Sequence, residues 1–162
     1  MRTLFNATAL GALAVGLLAL SISAADTAKP SVKWETDLQE AHKLSVESGK
    51  PMLLVFGADW CHYCKKLEQS TLTNTELAKY INANFIPVHI DADDEPKVTE
   101  ILEVTGLPCS VVLSPNADLL GRINGYKQPS AFYGELVQAR RRHAAVQTAS
   151  SKISTAPAAV AR

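Results

Sequence analysis

Apolar positions along the chain fall into short continuous runs that predict strands. The run MLLVFGA, residues 52–58, is apolar throughout and of strand length, which is typical of a strand covered on both faces. FIPVHID, residues 85–91, predicts a second strand, with Pro87 near its start because proline lacks an N–H for the ladder. CSVVLS and LLGRING, residues 109–114 and 119–125, are separated by the turn sequence PNAD and predict a hairpin.

Helices are predicted between and around these strands. Their starts are marked by capping residues or proline, and their ends by glycine. A capping box from Thr36 to Gln39, or from Asp37 to Glu40, opens the first helix. The first predicted helix covers residues 38–48, the second begins at about Cys61 with Leu67 directed inward, and the third opens at the Thr73–Glu76 capping box. The fourth runs from Pro96, after the acidic residues 91–95, up to Gly106, with Val98, Ile101 and Leu102 directed inward. The fifth extends from about Pro129 to His143.

The order of these elements predicts the fold class. Helices connect the early strands, which should therefore be parallel, whereas the last two strands form an antiparallel hairpin. We expect an α/β sandwich with a mixed central sheet. Residues 26–143 are enough for one domain with a core and too few for two. Residues 144–162 are rich in Ala, Ser and Thr without a sustained apolar period, and are predicted to be a disordered tail.

The first 25 residues have the layout of a secretory signal peptide. Arg2 precedes the apolar segment 7–23, and the small residues up to Ala25 permit cleavage before Asp26. An uncleaved anchor is the alternative, since about 18 apolar residues are near the lower limit for spanning a bilayer. Both interpretations place the domain outside the cytoplasm: periplasmic or secreted after cleavage, or anchored to the inner membrane and facing the periplasm.

Charge and cysteine content narrow the functional classes. Without Arg2 the chain has 15 basic and 16 acidic residues, a net charge of −1, which gives no electrostatic reason to bind nucleic acid. Three cysteines are too few for a small fold stapled by disulfides. The hydrophobic core must therefore supply most of the stability.

Cys61 and Cys64 form a C-x-x-C motif between the strand at residues 52–58 and the following helix. Unpaired N–H groups at a helix N-terminus stabilise an anion, so Cys61 is expected to ionise readily and to attack disulfides. Cys64 lies one helical turn later, where it can resolve a mixed disulfide on Cys61. Trp60 adds an apolar rim to this motif, and Lys65 adds positive potential.

The motif admits two other interpretations, a pair of inert core cysteines and half of a zinc site. The strand-to-helix junction argues against inert cysteines. A zinc site needs a second pair of ligands at similar spacing, which Cys109, His42, His89 and His143 do not provide. We therefore expect a redox dithiol without a cofactor or a resident metal.

The chain from Lys50 to Gln138 resembles the thioredoxin superfamily. The motif ADWCHYCK, residues 58–65, is most similar to exported thioredoxin-like domains, notably the C-terminal domain of the bacterial transmembrane thiol:disulfide interchange protein. VTGLPCSVVL, residues 104–113, and GRING, residues 121–125, resemble the proline loop and the glycine loop of the superfamily. The resemblance implies a thioredoxin-like three-layer sandwich, in which helices flank the mixed sheet.

By position, the resemblance also implies roles near the dithiol. Pro108 corresponds to the family's cis-proline, which lies against the active-site cysteines, and Leu107 to the residue that faces the substrate. Tyr63 is either a packing residue or part of a substrate rim with Trp60. Cys109 is either a small buried strand residue or an accessory thiol that forms a mixed disulfide or, with the C-x-x-C pair, a Cu(I) site.

Two positions depart from the family pattern. Typical thioredoxins carry a buried aspartate where this chain has Val55, so Cys64 must lose its proton by another route, through water or Asp59. His62 can stabilise the Cys61 thiolate and so make the disulfide more oxidising, or it can be a solvated loop residue.

Three functions remain open at this point. The first is an exported thiol-disulfide oxidoreductase that reduces disulfide-containing proteins and draws electrons from a membrane or periplasmic thiol donor. The second is a Cu(I)-handling protein that uses Cys61, Cys64 and Cys109. The third is a substrate-binding or chaperone-like module in which the dithiol is incidental.

Overall fold

The computed structural model describes residues 29–155, with side chains described through residue 151. The predicted signal segment, residues 1–25, and residues 156–162 of the predicted tail lie outside the described residues. The elements, in chain order, are α1 (Leu38–Ser48), β1 (Met52–Gly57), α2 (His62–Lys66), a π-helical turn (Leu67–Thr71), α3 (Thr75–Asn84), β2 (Ile86–Asp91), α4 (Pro96–Ile101), β3 (Cys109–Leu113), β4 (Leu119–Asn124) and α5 (Pro129–Thr155).

The four described strands form one mixed sheet in the order β2-β1-β3-β4. β1 pairs in parallel with β2, and this register places Val55 beside His89. β1 pairs antiparallel with β3, where Phe56 faces Cys109, and β3 and β4 form the antiparallel hairpin. The mixed sheet predicted from the order of the elements is confirmed.

Helices cover both faces of this sheet, as the three-layer prediction requires. Every residue of β1 is buried, which explains its continuously apolar sequence. One face packs against α3 and α5, and the other against α1 and α4. The first core contains Leu53, Val55, Leu77, Ile81, Val112, Phe132 and Leu136. The second contains Ala41, Met52, Leu54, Phe56, Val88, Ile90 and Val111.

The segment that precedes α1 belongs to the fold. Glu35 forms a parallel bridge with Val88 on the outer side of β2. Its backbone N–H donates to the carbonyl oxygen of Pro87 at 2.8 Å, and its own carbonyl accepts from the His89 amide at 3.4 Å. Val32 is buried in the core that contains α3 and α5.

The helix starts confirm one of the two capping predictions and contradict the other. Asp37 caps α1 through its side chain, which accepts from the Glu40 amide at 2.8 Å, so the Asp37–Glu40 alternative is confirmed. The Thr73–Glu76 box is wrong. Asn74 is the N-cap of α3 and its Oδ1 accepts from Leu77 N at 3.0 Å, while the Thr73 hydroxyl donates to the preceding turn.

α4 is shorter than the sequence pattern predicts. It ends at Ile101 rather than near Gly106, and Ile101 is 77% exposed instead of facing the core. The chain leaves the helix at Glu103, which has a left-handed φ of 52°, and the guanidinium of Arg122 in β4 donates to the carbonyl oxygens of Leu102 at 2.7 Å and Glu103 at 3.4 Å. These carbonyls would otherwise lack partners at the helix end.

α5 is longer than predicted. The pattern ends the helix near His143 and predicts a disordered tail from residue 144, but the helix continues to Thr155. Buried His143 and partly buried Val146 hold this part of the helix against the protein, and alanine, frequent here, has the best helix propensity. None of the helices within residues 29–155 combines the length and the apolar character needed to cross a bilayer.

Candidate active site

The two cysteines of the motif lie where β1 ends and α2 begins. Cys61 is the N-cap residue of α2 and is bonded to Cys64 in a disulfide, with 5.3 Å between their Cα atoms. The backbone N–H of Cys64 donates to Sγ of Cys61 at 3.1 Å. Once the disulfide is reduced, the same N–H is placed to stabilise a thiolate on Cys61. The arrangement therefore suits Cys61 as the attacking sulfur.

The disulfide is covered by its own surroundings. Cys61 is 5% exposed and Cys64 3%, and both pack with Ala58 in a small cluster that Leu107 borders. The Leu107–Pro108 peptide bond is cis, and Pro108 is buried. The start of β3 therefore lies against the dithiol, at the position implied by the family resemblance.

The glycine loop is tied to the same strand end. Gly125 donates its N–H to the Pro108 carbonyl oxygen at 2.8 Å and has a left-handed φ of 70°. Residues with a Cβ are strained in that conformation, so glycine is favoured at this turn. This hydrogen bond fixes the end of the β3–β4 hairpin beside Pro108.

An exposed aromatic rim surrounds the buried disulfide. Trp60 is 71% exposed and Tyr63 58%, and the Tyr63 ring meets the exposed His62 ring edge-on, with centroids 5.6 Å apart. Nε1–H of Trp60 donates to Oδ2 of Asp93 at 2.8 Å, which links the rim to the turn after β2. Asp59 and Lys65 are also exposed.

Cys109 follows Pro108 but has a different environment. It is 2% exposed and packs in the core between the sheet, α1 and α4, while Leu107 packs against both that core and the disulfide cluster. Burial raises the pKa of the Cys109 thiol, and Arg122, with Nη1 at 3.9 Å from Sγ, partly opposes this shift. The buried strand residue is the interpretation that fits this environment.

The predicted alternative of a Cu(I) site requires Cys109 to join the C-x-x-C pair. Within residues 29–155, His, Cys, Asp and Glu side chains form no group of three or more that could hold a metal ion. Cys109 packs in the core of the second sheet face, whereas Cys61 and Cys64 form a separate cluster with Ala58.

Comparison with known families adds a finding to this geometry. A family model described as a thioredoxin-like domain matches residues 38–140. This chain belongs to the thioredoxin-like family. The family resemblance predicted from the cysteine, proline and glycine motifs is therefore confirmed.

Individual relatives of this thioredoxin-like domain include longer bacterial proteins. The thioredoxin-related protein DsbJ of Chlamydia pneumoniae is 29% identical over 130 residues, which cover 70% of this chain and 37% of DsbJ. The thiol:disulfide interchange protein DsbD of Ralstonia nicotianae is 27% identical over 128 residues, which cover 76% of this chain and 20% of DsbD. The chain thus spans well under half the length of these relatives.

A solved structure supports the fold of the thioredoxin-like domain. The thioredoxin of Thermus thermophilus superposes with a TM-score of 0.61 at 25% identity, over 67% of this chain and 86% of that one. The superposed part accounts for most of the other protein, so the architecture of that thioredoxin is nearly complete here.

Three further residues of the thioredoxin-like domain approach the site, and the sequence pattern does not place them there. Asp93 holds Trp60, and its contact spans 33 positions, which no local pattern reveals. Glu68 lies one helical turn after Cys64, a spacing that could have indicated a neighbour on the same face. His89 is the β2 residue beside Val55, and it becomes identifiable only once the strand register is known.

Proposed function

We propose that this domain is an exported thiol-disulfide oxidoreductase that reduces disulfides of other proteins. The observation that carries the proposal is the Cys61–Cys64 disulfide at the start of α2 in a thioredoxin-like domain, with the Cys64 N–H directed at Cys61. The relatives named as thiol-disulfide interchange and thioredoxin-related proteins support the same class of chemistry.

The reaction proceeds through a mixed disulfide in which atoms and electrons balance. The Cys61 thiolate attacks one sulfur of the substrate disulfide, and the other substrate sulfur leaves as a thiolate that takes a proton. Cys64, after losing its proton, attacks Cys61 and releases the second substrate sulfur. The substrate gains two electrons, and the domain is left with the Cys61–Cys64 disulfide.

The exposed rim supplies a surface for a protein substrate. Trp60 and Tyr63 project beside the buried disulfide and offer apolar area for an extended chain. Leu107 also borders the dithiol, since it packs against the cysteine cluster, and Pro108 follows it. A polypeptide bound along the rim and this loop would bring its disulfide to Cys61.

The proposal also includes the location of the domain and the source of its electrons. The predicted signal segment, residues 1–25, supports a periplasmic or secreted location, or an inner-membrane anchor facing the periplasm. Each turnover oxidises the dithiol, so a membrane or periplasmic thiol protein must reduce it again. The net charge near zero gives no electrostatic support for nucleic acid as a partner.

The proposal is tested by reduction of a disulfide-linked protein such as insulin, with dithiothreitol as the electron source. The wild-type protein should accelerate the reaction, and Cys61→Ser should remove the acceleration. Cys64→Ser should accumulate a mixed disulfide with the substrate. Cys109→Ser is the matched control and should keep the wild-type rate.

The direction of electron flow is tested by a glutathione redox titration. A reduction potential closer to that of thioredoxin, about −270 mV, than to that of DsbA, about −120 mV, supports a reductase. A potential near the latter value would make the protein an oxidant instead. A Cys61→Ser, Cys64→Ser variant that keeps its activity towards partner proteins would identify a binding module and overturn the proposal.

A further inference from the structure

A π-helical turn continues α2 directly after the dithiol. It spans Leu67–Thr71, and the Leu72 N–H donates to the Leu67 carbonyl oxygen, five residues earlier, at 3.0 Å. Turns of this kind are rare in proteins and are found frequently at functional sites. Thiol-disulfide exchange at Cys61 and Cys64 does not itself require a π-helical turn, so the contacts that its side chains make are informative.

Two side chains of the π-helical turn hold the loop that follows β4. The buried Thr71 hydroxyl donates to the Lys127 carbonyl oxygen at 2.6 Å, and Oγ of Ser70 lies 3.2 Å from the Tyr126 hydroxyl oxygen. The Ser70 hydroxyl donates its single proton to the Lys66 carbonyl oxygen at 2.6 Å, so Tyr126 is the donor in its contact with Ser70. Both contacts join residues 56 positions apart in the chain.

The Tyr126 ring is held by further contacts. Nζ of Lys66, the last residue of α2, lies 4.7 Å from the centroid of the ring, and a cation over an aromatic face is a favourable arrangement. The ring is also partly buried against the first core. Tyr126 is therefore fixed by the core, by Lys66 and by Ser70, and its hydroxyl is the group that reaches the π-helical turn.

The loop fixed in this way is the glycine loop of the candidate active site. Gly125 directly precedes Tyr126, and its N–H donates to the Pro108 carbonyl oxygen at 2.8 Å. Pro108 follows Leu107, which borders the cysteine cluster. A continuous series of contacts thus runs from the π-helical turn, through Tyr126 and Gly125, to the strand end beside the dithiol.

We propose that Ser70, Thr71 and Tyr126 are positioning residues for polypeptide substrates, because they hold the glycine loop and, through it, residues 107–108 beside the dithiol. This inference rests on the proposed function. A polypeptide has to contact residues 107–108 while its disulfide reaches Cys61, so its binding depends on where the loop is held. A small aromatic disulfide requires Cys61 alone. Loss of a contact from the π-helical turn therefore weakens the binding of polypeptides and leaves the reactivity of Cys61 intact.

The experiment compares a polypeptide substrate with a small one. Reduction of insulin is measured at saturating dithiothreitol over a range of insulin concentrations, which gives kcat and KM separately. Reduced protein is also mixed with 5,5′-dithiobis(2-nitrobenzoate), and the first release of thionitrobenzoate reports the attack by Cys61. Both reactions are followed for the wild-type protein, Tyr126→Phe, Ser70→Ala, the double variant of these two, and Thr71→Val.

Tyr126→Phe and Ser70→Ala should each lower kcat/KM for insulin about fivefold, which is the usual effect of losing one hydrogen bond, and a higher KM should account for the loss. The double variant should lose no more than either single variant, because both changes remove the same contact. Thr71→Val should lose at least as much, since the Lys127 carbonyl then lacks the donor that it has here. The rate with the small disulfide should stay at the wild-type value in each case.

Ser48→Ala is the matched control. The Ser48 hydroxyl donates to the carbonyl oxygen of Leu44, four residues earlier, as Ser70 does on its own helix, but Ser48 lies on α1. This variant should keep the wild-type values with both substrates. An unchanged KM for insulin in Tyr126→Phe, or an equal loss with insulin and the small disulfide, would overturn the positioning role. A wild-type protein that reacts with the small disulfide but does not reduce insulin would instead overturn the proposed function, and this inference with it.

Discussion

At the scale of single residues, three cysteines of one chain differ through their surroundings. Cys61 receives a backbone N–H from Cys64, whereas Cys109 is buried in an apolar core. Burial raises the pKa of the Cys109 thiol, because the thiolate loses its hydration there. The same side chain therefore provides a nucleophile in one place and a packing residue in another.

This contrast predicts the pattern of alkylation. Iodoacetamide added to the reduced native protein near neutral pH should modify Cys61, while Cys64 and Cys109 stay covered. Mass mapping of peptides gives the answer, and the unfolded protein, in which all three thiols react, is the control. Predominant labelling of Cys64 or Cys109 in the native protein would contradict the assignment of Cys61 as the nucleophile.

His62 is predicted to influence the redox potential. Its ring is exposed directly beside Cys61, where a positive charge would favour the thiolate and thus the reduced form. His62→Ala should shift the potential by a few tens of millivolts towards more reducing values, since about 1.4 kcal/mol corresponds to about 30 mV. A glutathione titration followed by tryptophan fluorescence measures the shift. His42→Ala on α1 is the control, and an equal shift in both variants would exclude a local effect of His62.

At the scale of secondary-structure elements, local sequence patterns predict the strands, whereas features that depend on contacts between distant residues leave no local pattern. β1 is buried on both faces, so a continuous apolar run was sufficient to predict it. The end of α4 is held by Arg122, which binds the Leu102 carbonyl 20 residues earlier in the chain, and no local pattern contains that contact. The C-x-x-C pair was evident from spacing, whereas His89 became a neighbour of the dithiol only through strand register.

The N-cap of α3 provides a direct comparison of two adjacent residues. Asn74→Ala should lower the free energy of unfolding by about 1 kcal/mol, because Leu77 N loses its acceptor. Thr73→Ala should cost less, since the Thr73 hydroxyl only donates to the Gln69 carbonyl, which belongs to the preceding turn. Urea denaturation of both variants is the measurement. A larger loss for Thr73→Ala would restore the capping box predicted from the sequence.

At the scale of the whole molecule, α5 connects the hairpin to the core. Phe132, Leu136 and Ala139 fill the first core, and Arg142 donates to the Leu120 carbonyl oxygen of β4 at 2.8 Å. His143 is buried at 2% exposure on the same helix, with Nδ1 3.0 Å from Nη1 of Arg140. Burial and, to a lesser degree, Arg140 lower the pKa of His143.

The lowered pKa of His143 predicts an acid-sensitive stability. In the unfolded chain the imidazole takes up a proton below about pH 6.5, whereas the folded protein resists protonation. The contribution of His143 to the free energy of unfolding is therefore fully present above about pH 6.5, and it is lost as the pH falls from there towards the pKa of His143 in the folded protein. Urea denaturation between about pH 5 and 8 should show a smaller loss on acidification for His143→Leu than for the wild-type protein. Equal pH dependence in the two proteins would contradict the prediction, and His42→Gln should behave as the wild type.

The bridge between Glu35 and Val88 bears on how the domain avoids self-association. β2 is the outermost strand of the sheet on its side, and an uncovered outer strand is a template for pairing with another molecule. Glu35 occupies two backbone groups of that strand, the carbonyl of Pro87 and the N–H of His89, and Pro87 itself has no N–H to offer another chain. The family match begins only at residue 38, after this protective segment. A polypeptide trimmed to the matched residues would keep the dithiol but expose the outer edge of β2. Aggregation, rather than loss of thiol-disulfide exchange, is therefore the defect that such trimming would introduce.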